Sequence, residues 1–233
     1  VKHISIDQLS TEEFPLNQAT LYEIAWDGVK YEFLINRKQG SSQAVIFGTG
    51  DVGGAKSLPI FSRAKWKDEL SCTGIWYFDP TVYLGESSLG WGYGTNKRWY
   101  LQDIASILNT ILRKLDIPVP NVLFCGSSAG GFTAMVLASM MHGKATVINP
   151  QLIVKNFWSR LVQKFTESVL EKDETLIDER LSASSCFQRF GFPQIHLLQN
   201  IQADRDGKTQ LSAFLVELAD KKIDCQDCLR IEF

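Results

Sequence analysis

Residues 121–138 read Asn-Val-Leu-Phe-Cys-Gly-Ser-Ser-Ala-Gly-Gly-Phe-Thr-Ala-Met-Val-Leu-Ala. An apolar run suited to a strand meets a glycine-rich turn and continues into a segment suited to a helix. Ser128 is at the apex, with Gly126 and Gly130 two residues to either side. This is the Gly-x-Ser-x-Gly pattern of a nucleophile elbow, in which a strained turn lifts a serine hydroxyl clear of a sheet. Strand and helix pass too closely at such a turn for a β-carbon, which is why glycine flanks it. The helix is apolar nearly all round, as one sandwiched against a sheet is. It is predicted to stop at His142-Gly143, with the glycine as its C-cap.

Outward from the elbow, the chain alternates strand-like and helix-like segments. Leu21 to Trp26 and Tyr31 to Asn36 flank Asp27-Gly28, a hairpin signal. Apolar runs follow at 44–47, 74–78, 122–125, 145–148, 195–198 and 228–233, each suited to a strand buried on both faces. Between them Tyr100, Ile104, Ile107, Leu108, Ile111 and Leu115 form one helical stripe, and Leu211, Phe214, Leu215 and Leu218 another. The predicted fold class is α/β: a doubly wound, mostly parallel sheet flanked by helices, with the hairpin at one edge. Residues 1–233 are expected to form a single domain. Residues 151–193, after the sixth strand, exceed a normal connection and hold one helix around 154–169 and a shorter one near 175–181. They read as a helical, cap-like insertion or as a packing appendage.

Composition narrows the function classes. The chain has 233 residues, 45% hydrophobic and 21% charged, with a net charge of −2, an ordinary globular balance. That charge, without a Lys/Arg stripe, argues against nucleic acid as partner. No apolar run approaches the ~20 residues of a membrane span. Val1-Lys2-His3-Ile4 carries neither an apolar leader nor an initiating Met, so the chain is expected to be processed or to begin inside a longer protein. Its five cysteines do not form a disulfide framework, and the cytoplasm is the expected compartment. Cys225-Gln-Asp-Cys228 is a lone pair with no second pair to complete a zinc site. It reads first as structural, with redox or metal roles as alternatives. No metal or cofactor is expected.

Open α/β sheets bind ligands beyond the carboxyl ends of their strands. The loop after the third expected strand, Gly48-Thr49-Gly50-Asp51-Val52-Gly53-Gly54, has backbone N–H groups that could join that of Ala129 in an oxyanion hole. Thr49 is the favoured donor and Gly50 the next; the alternative is a tight turn. The loop after the seventh strand supplies Asp204 as the acid of a triad and Asp206 as a helix N-cap. The three histidines do not supply a base. His142 ends the elbow helix, ~20 Å away at 1.5 Å per residue. His196 lies at the wrong end of its strand, and His3 lies outside the core elements. In this chain order the histidine follows the last strand, so it is expected beyond Phe233. Trp91 and Tyr93, within Gly90-Trp91-Gly92-Tyr93-Gly94, either stack on a sugar or line an acyl pocket, or else pack the loop. Arg63 binds an anionic substrate group or makes a surface ion pair.

These residues resemble the α/β-hydrolase superfamily from about Asp27 to Phe233. More narrowly, the chain is similar to bacterial serine esterase and acyltransferase-like proteins of surface-polysaccharide pathways. That likeness is carried by 59–63 (Pro-Ile-Phe-Ser-Arg), Phe78-Asp79-Pro80, 124–132, Ile148-Asn149-Pro150-Gln151 and Gln199-Asn200 before Asp204. The resemblance implies Ser128 as nucleophile, the Ala129 N–H in the oxyanion hole, Asp204 as acid, and a histidine absent from these residues. The expected function is a serine esterase or deacylase acting through an acyl-enzyme on a small-molecule or glycan ester. The alternatives are O-acyl transfer to a carbohydrate, or a binding module that has kept the fold without the base.

Overall fold

The computed structural model describes residues 1–203 and 207–233. Strands β1 (Lys2–Ser5), β2 (Thr20–Trp26), β3 (Val29–Asn36), β4 (Ala44–Phe47) and β5 (Thr73–Tyr77) come first. Then follow α1 (Tyr100–Lys114), β6 (Val122–Ser128), α2 (Ala129–Met140), β7 (Lys144–Pro150), α3 (Ser159–Val169) and α4 (Ala183–Phe190). Strand β8 (Gln194–Leu198), a π turn at Gly207–Ser212, α5 (Ala213–Asp220) and β9 (Leu229–Glu232) complete the described chain. The strands form one sheet in the order β1-β2-β3-β5-β4-β6-β7-β8-β9. From β5 to β9 every neighbouring pair is parallel, whereas β3 is antiparallel to both β2 and β5.

The expected alternation is present, with three corrections. The hairpin turns at Asp27 (φ 44°) and Gly28 (φ 77°), as two-residue hairpins require. It is not the sheet edge: β1 lies outside it, parallel to β2. This places His3 on a strand, exposed and 3.1 Å from Glu23. Four half-exposed residues of alternating polarity are too short a pattern to announce a strand. Helix α2 ends at Met140, two residues short of the predicted His142-Gly143, and the left-handed residue there is His142 (φ 55°) rather than Gly143. A β-carbon on Gly143 would stand 3.0 Å from the Phe124 ring, so close packing against β6 is what glycine answers there. Lastly, the 151–193 segment divides. Only short 3-10 turns flank α3, while α4, which the periodicity did not separate, buries Phe187 and Cys186 in the core.

The α1 stripe is buried as its spacing dictates, and each such Ile or Leu contributes about 2 kcal/mol relative to exposure. Helix α2 is buried from Ala129 to Ser139, between the sheet and its neighbouring helices. Cys225 and Cys228 are free thiols in a turn that leads into β9 through Leu229 N–H to Cys225 O. Among the described residues no helix is long and apolar enough to cross a membrane.

Candidate active site

Strand β6 delivers Ser128 at its carboxyl end, and the chain reverses there into α2. Ser128 has φ 54° and ψ −128°, a sparsely populated combination for a residue with a side chain and one held only by over-determined surroundings. Those surroundings are the close approach of strand, helix and loop. A β-carbon on Gly126 would lie 2.1 Å from the Gly130 carbonyl oxygen, and one on Gly130 would lie 2.9 Å from that of Gly48. Register with β7 also shifts between Ser127 and Ser128. The serine is half-buried and stands before the first turn of α2, where free N–H groups and the helix dipole favour developing negative charge.

The loop after β4 passes over this turn. The Gly48 N–H donates to Cys125 O at 3.3 Å, and the Tyr77 hydroxyl donates to Thr133 Oγ1 at 2.7 Å, tying β5 to α2. Burial pushes the Tyr77 hydroxyl pKa well above its ordinary value. The Thr49 hydroxyl donates to Tyr77 O at 2.8 Å and accepts from the Asp79 N–H at 3.1 Å. Its own N–H donates to no group among the described residues. The Gly50 N–H is engaged with Ser62 Oγ at 3.3 Å. Of the two predicted loop donors, Thr49 therefore has the open amide and Gly50 the occupied one.

The same Ser62–Arg63 segment touches β6. Arg63, left-handed at φ 62°, donates from Nη2 to Ser127 Oγ at 3.0 Å, beside the elbow serine, and its guanidinium lies over the Trp66 ring. Two hydrogen bonds, one on each side, thus fix a cation between the loop after β4 and the elbow.

Trp91 and Tyr93 do not present a stacking platform: both rings are buried, at 1% and 0% exposure. Phe165 of α3 meets each edge-to-face, Ile177 N–H donates to the Tyr93 hydroxyl, and Arg180 lies over the Tyr93 ring. Of the two expectations for this loop, packing is the one the structure carries. Buried Asp79 anchors it by accepting from the Gly92 N–H at 2.7 Å. Burial raises the Asp79 carboxyl pKa, and the Gly92 and Thr81 N–H groups oppose that shift.

Sequence reasoning assigned no role to Gln151, which follows β7 and is 3% exposed. Its Nε2 donates to Ser128 Oγ at 2.9 Å, its N–H donates to Ser128 O at 3.1 Å, and its Oε1 accepts from the Trp91 indole N–H. Two signals marked its position without giving it a role: the Ile148-Asn149-Pro150-Gln151 phrase of the resemblance, and its place at the carboxyl end of the strand next to the elbow strand.

On the far side, the Asn200 N–H donates to Asn149 Oδ1 at 2.7 Å, joining the loop after β8 to the end of β7. Asp204 and Asp206, the predicted acid and cap, lie outside the described residues. His196 is on β8, 3.2 Å from Glu232, and His142 follows α2 at the opposite end of the sheet, so neither approaches the elbow.

A model of the uncharacterised protein family (UPF0227) matches residues 95–212. No curated protein matches the sequence. Among solved structures, the capsule O-acetyltransferase of Neisseria meningitidis serogroup A is similar with a TM-score of 0.66 and 18% identity, over 89% of this chain and 86% of that one. A lipase/esterase from Lactobacillus plantarum has a TM-score of 0.58 and 10% identity, over 88% and 86%. Thermogutta terrifontis esterase 2, phosphonylated by sarin, has a TM-score of 0.56 and 13% identity, over 95% and 84%. At these identities the likeness is one of fold, and the fold is that of the α/β-hydrolases.

Proposed function

The chain belongs to the uncharacterised protein family (UPF0227), whose description carries no activity, and from the site itself we propose a serine hydrolase of the esterase or deacylase type. The observation that carries this reading is the backbone of Ser128, held at φ 54° and ψ −128° at the head of a buried helix. Such strain is costly, by about 1–3 kcal/mol, and collects at functional sites.

In this reading the Ser128 hydroxyl gives its proton to a general base, and Oγ bonds to the acyl carbon. The carbonyl electron pair moves onto oxygen, facing the N–H groups of Ala129 and Thr49, while the Gly50 N–H stays engaged with Ser62 Oγ. Collapse expels the alcohol, which takes the proton, and water then releases the acyl group. Asp204 orients the base, an imidazole in the chain order of this fold. Arg63 receives an anionic group of the substrate. The compartment that goes with this reading is the cytoplasm. A second reading, O-acyl transfer to a carbohydrate, shares the acyl-enzyme, and the architecture shared with the capsule O-acetyltransferase favours keeping it.

The test is covalent labelling by a fluorophosphonate probe, read by intact mass. One adduct on the wild type and none on Ser128→Ala is expected. Absence of labelling on the wild type overturns both catalytic readings in favour of an inert module. Product analysis of an acetyl ester with and without a glycan acceptor then separates the two: hydrolysis unchanged by acceptor excludes transfer.

A further inference from the structure

We propose that Gln151 is a catalytic residue, locked in one amide orientation by Trp91, whose Nε2–H stabilises the Ser128 oxygen as it loses its proton. This rests on the serine reading above.

An amide side chain can be turned either way, but an indole is a donor only. The Trp91 N–H lies on one end of the Gln151 amide, so that end is Oε1 and the other is the donor nitrogen. That nitrogen is 2.9 Å from Ser128 Oγ and cannot accept. In this contact the serine oxygen is therefore the acceptor, and its hydroxyl proton points elsewhere, free for a base. The backbone repeats the link through Gln151 N–H to Ser128 O at 3.1 Å, so the two residues hold a fixed separation. Trp91 is itself immobilised: Phe157 and Phe165 meet its ring edge-to-face, and the next residue's N–H is held by buried Asp79.

The consequence is differential. With the hydroxyl intact, Nε2–H makes a neutral hydrogen bond. As the proton passes to the base, the oxygen gains charge and the same hydrogen bond becomes charge-assisted, roughly twice as strong. An interaction stronger in the transition state than in the ground state raises kcat and leaves KM in place. Trp91 touches no reacting atom. It is a positioning residue whose effect passes through Gln151.

The experiment measures fluorophosphonate labelling rate and p-nitrophenyl acetate turnover for the wild type, Gln151→Met, Gln151→Glu, Trp91→Phe and the double variant Trp91→Phe/Gln151→Met. Methionine fills the space without a donor, and glutamate, read at a pH high enough to ionise it, accepts from the indole but donates nothing. Each single Gln151 change is expected to lower labelling rate and kcat on the order of 10–100-fold, with KM nearly unchanged. Trp91→Phe is expected to lose about fivefold alone and nothing further in the Gln151→Met background. Should one Gln151 variant fail to fold, the other is read. Wild-type rates in a folded Gln151 variant overturn the proposal, as does a Trp91→Phe loss that persists undiminished in the double variant. A wild type that labels only at Ser128 while Gln151→Met matches it removes this inference alone. A wild type that does not label removes the serine reading and this inference together.

Discussion

Arg63 is a half-buried cation with no carboxylate in ion-pair range among the described residues, and its one side-chain hydrogen bond goes to Ser127 Oγ. A guanidinium has five N–H donors in a fork that matches a carboxylate or phosphate, and among the described residues only Ser127 Oγ takes a hydrogen bond from this one. Arg63→Gln is expected to lower kcat/KM for p-nitrophenyl hemisuccinate by about tenfold, the loss of a charge-assisted hydrogen bond. The neutral acetate ester should be unchanged within about twofold. Equal losses on both esters would mean a structural role. At this scale the sequence was readable where the signal was local. Ser128 and its glycines sit within a few residues of one another, and the turn they impose is a backbone property. The role of Gln151 was not readable because its partners, Trp91 and Ser128, are 60 and 23 residues away in sequence. Burial alone separates Trp91 as a support from Trp91 as a platform, and glycine-flanked aromatics look the same in either case.

Helix α3 matters to the site through one ring. Phe165 is fully buried and packs against both Trp91 and Tyr93, while Asn96 Nδ2 donates to Thr175 O and Arg180 Nη1 donates to Thr95 O. The Phe165 ring of α3 and the segment after the helix, through Thr175 and Arg180, thus close over the loop that carries Trp91. Phe165→Ala is expected to destabilise by about 3–5 kcal/mol through lost burial and the cavity left behind, read as a lower urea midpoint. Labelling of Ser128 should also slow below the midpoint, since Trp91 loses a wall. Destabilisation with an unaltered labelling rate would detach α3 from the site. Elements with long apolar runs or continuous stripes, such as β6, α1 and α2, were legible because a buried face or stripe leaves its mark on local composition. Helix α4 was not. Its core contribution comes from Ala183, Cys186 and Phe187, too few apolar positions to stand out inside a 43-residue connection (151–193).

Across the whole molecule, the groups gathered at the elbow come from residues 49, 63, 91, 128 and 151, so the site exists only once the chain from β4 to the end of β7 has come together. Strand pairing explains why. β4 sits between β5 and β6, and both partners follow it in the chain. Its residues Ala44, Ile46 and Phe47 are buried in the finished protein. During synthesis, β4 leaves the ribosome with two open edges. It gains β5 after about thirty more residues, yet keeps one edge bare until Val122 to Ser128 arrive. An apolar strand with an unpaired edge is a template for wrong partners. A chain ending at Asn121 is therefore expected to pellet on centrifugation or be retained by chaperones, whereas the full chain stays in the supernatant. If the truncated chain were equally dispersed, β4 would have found another cover. The strand that ends in Ser128 is thus also the one that covers the last bare edge of β4, so a nascent chain that stops short of it carries an unpaired apolar strand.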